Sequence, residues 1–124
     1  LNLALGWLWL VLGTVAGLVL GSFFHREGWL GGYGSLERRM YRLMHISFFG
    51  LGFLNLLFHF TVRTLPAPGE VLAVASWALA LGAVTMPVCC GLMARRPRFR
   101  LLFAVPVAGV LVGTVITLRE VWPS

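Results

Sequence analysis

Four long apolar runs, separated by short polar segments, constrain this chain more than any other feature. A helix that crosses a bilayer needs about 20 mostly apolar residues. The runs span residues 3–24, 43–62, 71–93 and 101–118, and none carries Asp, Glu or Arg in its interior. Hydrophobic residues make up 59 % of the 124 and charged residues 11 %, against about 25 % charge in soluble domains. A chain this short cannot hide so much apolar surface in one water-facing core. The expected fold is therefore all-α, an integral membrane four-helix transmembrane bundle forming a single domain over residues 1–124. The first run has no basic segment before it, and Gly21-Ser22-Phe23 is a poor cleavage site. It reads as a retained helix rather than a signal peptide.

The net charge is +6, and all ten basic residues are Arg. A basic chain usually suggests nucleic acid. That partner is excluded here because the arginines lie between apolar runs and not on a soluble face. Arginine without lysine points to a GC-rich, bacterial genome. Arg26, Arg38, Arg39 and Arg42 fall in the first connection, with Glu27 and Glu37. Arg95, Arg96, Arg98 and Arg100 fall in the third, without an acid, and the second holds only Arg63 and Glu70 around the Pro66, Pro68, Gly69 turn. Positive charge marks the cytoplasmic side. The expected location is the bacterial inner membrane, with the arginine-rich loops cytoplasmic and both termini outside. The first loop, rich in glycine, reads as a flexible basic segment able to meet anionic lipid headgroups. Trp7, Trp9 and Trp122 at one level, and Trp29, Tyr33 and Tyr41 at the other, read as interfacial anchors.

Small residues predict where helices meet. Gly13, Gly17 and Gly21 in the first run, and Gly109 and Gly113 in the fourth, recur every four residues. Such ridges let backbones approach closely, where dispersion supplies the attraction that lipid cannot. Ala73, Ser76, Ala80 and Ala83 offer a comparable face in the third run. Pro87 and Pro106 each remove a helical hydrogen bond, and Thr85 is the expected source of a replacement at the first. Adjacent Cys89 and Cys90 read as buried small hydrophobes.

The second run alone carries a polar stripe. His45 and His59 are 14 residues apart, which returns them to within about 40° of one helix face and separates them by roughly 21 Å. Asn55 lies on nearly the same side, between Arg42 and Arg63. Ionisable groups inside a bilayer are costly and point to a bundle interior or a functional path. The His45–His59 spacing resembles that of b-type cytochromes, which hang two haems from one helix; the resemblance covers these two residues. It implies haem b, with His25 as the second ligand opposite His45 and with Arg26, Arg38, Arg39 or Arg42 pairing its propionates. His59 is left without a partner in this chain. The leading reading of the stripe is nonetheless structural, with both histidines near an interface and Asn55 hydrogen-bonding between helices; a haem or quinone site comes second, and proton or ion movement third.

No carboxylate pair, phosphate loop, metal-ligand run or nucleophile triad is legible, so no catalytic or metal residue is expected. The leading expectation is a small accessory or structural subunit of a larger respiratory or photosynthetic membrane complex. The alternatives are a haem- or quinone-interacting electron-transfer subunit using His25, His45 and His59, and a small oligomeric transporter or channel.

Overall fold

The computed structural model describes residues 1–122. The fold is all-α, with no strand among the described residues: α1 (Asn2–Phe23), α2 (Leu36–Thr64), α3 (Val71–Arg95) and α4 (Ala104–Val121). Each is long and apolar enough to cross a membrane, α4 together with the 3-10 segment Pro97–Phe103 that leads into it. A 3-10 turn, Trp29–Gly31, lies between α1 and α2.

The second helix starts seven residues before its apolar run. Ser35 is the reason: its hydroxyl accepts from the Arg38 backbone N–H at 3.1 Å, and Glu37 sits in the first turn. An N-cap oxygen and an early acid both favour a helix start. Arg38, Arg39 and Arg42 are thus helical residues, and the flexible connection expected over 25–42 shrinks to a structured turn of 24–35. The fourth helix starts three residues late, because Pro97 begins a 3-10 segment that ends before α4. Pro106 then falls in the first turn of α4, where a missing N–H breaks no interior ladder.

The helices pack in chain order. α1 lies on α2, α2 on α3 and α3 on α4, while α1 and α4 have no substantial contact. The arrangement is an open, folded row and not a closed ring, with α2 and α3 in the middle. Two apolar clusters fill it: Trp9, Leu51 and Ala83 join α1, α2 and α3, and Phe58, Leu72, Ala75 and Leu79 join α2 to α3.

Glycine sets the two flanking contacts. A Cβ on Gly6 would come within 2.9 Å of the Gly52 carbonyl oxygen, and one on Gly109 within 2.8 Å of the Ala78 carbonyl oxygen. Gly13 faces Phe48 and Phe49, Gly17 faces His45, and Gly113 faces Leu79 and Ala75. Gly21 meets nothing, so the ridge of α1 continues toward Gly6 and not toward Gly21. The α4 ridge lies on Ala75, Ala78 and Gly82 of α3. Of the expected small face of α3, Ala80 and Ala83 are buried but Ala73 is exposed.

Candidate functional site

The polar groups of the chain gather at three places between helices. The first is the arginine-rich end of α1 and α2. Arg38 is 1 % exposed, and its guanidinium donates to the carbonyls of Phe24 at 2.9 Å, Arg26 at 3.2 Å and Glu27 at 3.3 Å. These carbonyls lie at and just beyond the C-terminus of α1, where helix dipoles favour a cation. The rings of Phe24, Trp29 and Tyr33 surround the same guanidinium, with centroids 5.2, 5.7 and 5.0 Å from its carbon. Arg38 thus ties the turn to the start of α2.

The turn it holds is strained at one residue. Leu30 has φ 53° and ψ 38°, followed by Gly31 and Gly32 at φ 80° and 97°. The Ser35 hydroxyl donates to the Leu30 carbonyl at 2.5 Å, so one serine both caps α2 and fixes the left-handed residue. Trp29 stacks on Phe23, with centroids 5.1 Å apart. Arg42 lies over Tyr33 at 4.3 Å and donates to its carbonyl.

The second place is His45. Its Cε1 edge rests on the α1 backbone, where a Cβ on Gly17 would be 2.6 Å away. Phe49 meets the ring edge-on at 5.4 Å. Nδ1 is buried and has no hydrogen-bond partner. An open groove of about 260 Å³ runs past it, lined by Gly17, Gly21, Phe24, Arg42 and Ile46.

A haem between His25 and His45 needs both imidazoles on one cavity. His25 lies exposed in the turn after α1, and the groove at His45 does not include it. The His45 ring is itself packed against Gly17, with no gap for a macrocycle on that side. Nη1 and Nη2 of Arg38, the fork that would meet propionates, are committed to carbonyls, while Nε is buried without a partner. The residues present do not fit a bis-histidine haem within this chain. His59 lies near the other end of α2, half-buried and edge-on to Phe60.

The third place lies between α1, α2 and α3 at and below the opposite end. The Asn2 amide donates to Asn55 Oδ1 at 2.8 Å and to the Ser76 carbonyl at 3.2 Å, and the Ser76 hydroxyl donates back to Asn2 Oδ1. The Asn55 amide donates to the Leu51 carbonyl at 2.9 Å, and Asn55 is fully buried. Three helices are joined by one satisfied network. Two turns further along α1, the Trp9 indole N–H donates to the Ala83 carbonyl at 2.9 Å. Ala83 is four residues before Pro87, so this carbonyl is the one whose helical donor the proline removes. Thr85 does not fill that role: its hydroxyl donates to the Leu81 carbonyl. Trp9, expected as an interfacial anchor, is buried, whereas Trp7 is 58 % exposed.

Cys89 and Cys90 are buried free thiols, and Cys89 lies 3.5 Å from the Leu102 carbonyl oxygen. Leu102 is in turn four residues before Pro106. Among the described residues no group of three His, Cys, Asp or Glu is placed to hold a metal ion. Comparisons with protein families, with curated proteins and with solved structures find no significant match.

Asn2 and Arg38 are the residues whose roles the sequence reading did not anticipate. Asn2 carried a signal, as an amide immediately before the first apolar run. Arg38 carried one too, three residues after a serine cap.

Proposed function

We propose that the chain is a multi-pass membrane protein and serves as a small assembly subunit of a larger membrane complex. The observation that supports membrane insertion is the inside-out distribution of its side chains. Asn2, Arg38, Ser47 and Asn55 are buried, while Leu18, Ile46, Leu57, Trp77 and Leu111 are each more than half exposed. In water that exposure is unfavourable by about 25 cal/mol per Å²; in a bilayer it carries no such penalty, and inward polar groups join helices by hydrogen bonds. The arginine-rich ends of the helices then lie in the cytoplasm and the α2–α3 turn lies outside.

The assembly reading is supported by helical glycines that this chain does not use. Gly21 and Gly50 leave open space, and both border the exposed side of α1 and α2 that carries Ile46. Glycine within a helix costs about 1 kcal/mol relative to alanine. At Gly6, Gly52, Gly82, Gly109 and Gly113 that cost is offset by close backbone contact, and a neighbouring helix from another subunit would offset it at Gly21 and Gly50.

Isolation from native membranes in mild detergent tests the assembly role. Wild-type chain is expected to co-purify with a stoichiometric partner, and Gly50→Leu is expected to lose that partner while its own melting temperature is kept or raised. A chain that migrates alone, with or without the substitution, contradicts the proposal.

A further inference from the structure

Tyr41 separates two apolar grooves at the arginine-rich end. On one side a groove of about 350 Å³ runs between α1 and α2, walled by Ala16, Leu20 and Met44 with Trp29 at its end. On the other side a groove of about 340 Å³ runs between α2 and α3, along Val88, Gly91 and Leu92 to Arg95. Val88, Gly91 and Arg95 occupy successive turns of one face of α3, so this groove passes from cation to apolar wall over about 10 Å. Its floor is open at Gly91, where a Cβ would meet no atom within 4 Å.

We infer that these paired grooves hold one anionic two-chain phospholipid, with an acyl chain on each side of Tyr41 and the phosphate at Arg95. The inference rests on the membrane-spanning reading above. Two open grooves that share one aromatic wall suit two flexible chains; a helix, a single rod about 10 Å across with its side chains, does not divide between them. Charge selects the head. Residues 71–118 carry Arg95, Arg96, Arg98 and Arg100 and no acidic residue, and the Arg95 side chain is exposed at the groove mouth. A guanidinium meets phosphate oxygens in bidentate geometry, and a phenol such as Tyr41 is at home at headgroup level. The chains gain little over bulk lipid, because lipid tails are as apolar as the groove walls. Selectivity therefore lies in the headgroup, favouring anionic over zwitterionic lipid.

The test titrates the full chain in mild detergent with dioleoyl phosphatidylglycerol or dioleoyl phosphatidylcholine, read by native mass spectrometry. One phosphatidylglycerol per chain is expected to be retained at concentrations where phosphatidylcholine is not. Arg95→Gln is expected to weaken it about fivefold. Gly91→Leu fills the α2–α3 groove and is expected to abolish retention without changing helicity, since the position is open. Arg63→Gln, at the other end of α2, is expected to leave retention unchanged. Equal retention of the two lipids, or equal losses in Arg63→Gln and Arg95→Gln, overturns the site. So does a photocrosslinker at position 88 that captures protein and no lipid. Alkaline carbonate extraction separates this failure from the larger one: a chain released from membranes by carbonate refutes membrane insertion, and a retained chain that does not distinguish the lipids refutes the lipid site alone.

Discussion

The Trp9 indole N–H donates to the Ala83 carbonyl at 2.9 Å, the acceptor that Pro87 deprives of its own helical donor. One side chain from α1 thus repairs a defect built into α3. Together with the Asn2–Ser76 hydrogen bonds two turns away, this bond sets the register of α1 on α3.

A double-mutant cycle isolates the bond. Trp9→Phe keeps the apolar bulk and removes the donor, leaving a buried acceptor unsatisfied, and is expected to cost about 1–2 kcal/mol. Pro87→Ala restores a backbone N–H for the same carbonyl. In that background Trp9→Phe is expected to cost at least 0.5 kcal/mol less. Unfolding in mixed detergent micelles, followed by far-UV circular dichroism, reads both values. Strict additivity would show that the indole contributes packing alone.

Asn55 is expected to act through Asn2 and Ser76. Asn55→Leu removes one acceptor and one donor from a network that is satisfied in the wild type. Interhelical hydrogen bonds in membranes average about 0.6 kcal/mol, with a maximum of about 1.7. A loss near the top of that range is expected, because Asn55 is fully buried. Asn2→Ala should cost nearly as much, and the double variant less than the sum. The same unfolding assay decides it.

Glycines with and without neighbours should respond in opposite directions. Gly109→Ala would place a Cβ 2.8 Å from the Ala78 carbonyl oxygen, a backbone atom that cannot rotate away. The α3–α4 contact must open, at about 1–3 kcal/mol. Gly50→Ala meets nothing and is expected to stabilise the isolated chain by up to about 1 kcal/mol through helix propensity. Melting temperatures of the two purified variants are the comparison.

Arg38→Met is expected to loosen the α1–α2 turn. It removes the donors that hold the Phe24, Arg26 and Glu27 carbonyls, for a loss of about 2–3 kcal/mol. Lysine should not rescue it, because an ammonium lacks the planar fork that reaches several carbonyls among three rings. Limited proteolysis reads the effect directly: Arg38→Met and Arg38→Lys should both be cleaved within 24–35 faster than wild type.

The four helices were legible because lipid-length apolar runs have few alternative uses. Their ends were less so. The start of α2 at Leu36 lay outside the apolar run, in the cap chemistry of Ser35 and Glu37. Which side of each helix faces inward was hardest to read. Lipid and protein interior are both apolar, so the pattern that marks a core face in water is nearly flat in α1. Trp9 and Trp7 are indistinguishable by composition, yet one is buried against α3 and the other is exposed. Small and polar residues were the better guides. Gly13, Gly17, Gly109 and Gly113 do lie at helix contacts, and Asn55 does bond across helices. The His45–His59 stripe carried the least, because spacing on one helix says nothing about what the neighbouring helices bring opposite.

Membrane orientation tests the account most directly. In a chain with Cys89→Ala and Cys90→Ala, single cysteines are placed at Ala67, in the exposed α2–α3 turn, and at Gly34, in the exposed α1–α2 turn. Intact cells are treated with a membrane-impermeant maleimide before and after permeabilisation. The expected result is labelling at position 67 in intact cells and at position 34 only after permeabilisation. Labelling of both in intact cells, or the reverse pattern, would contradict a four-helix span with its arginine-rich end in the cytoplasm.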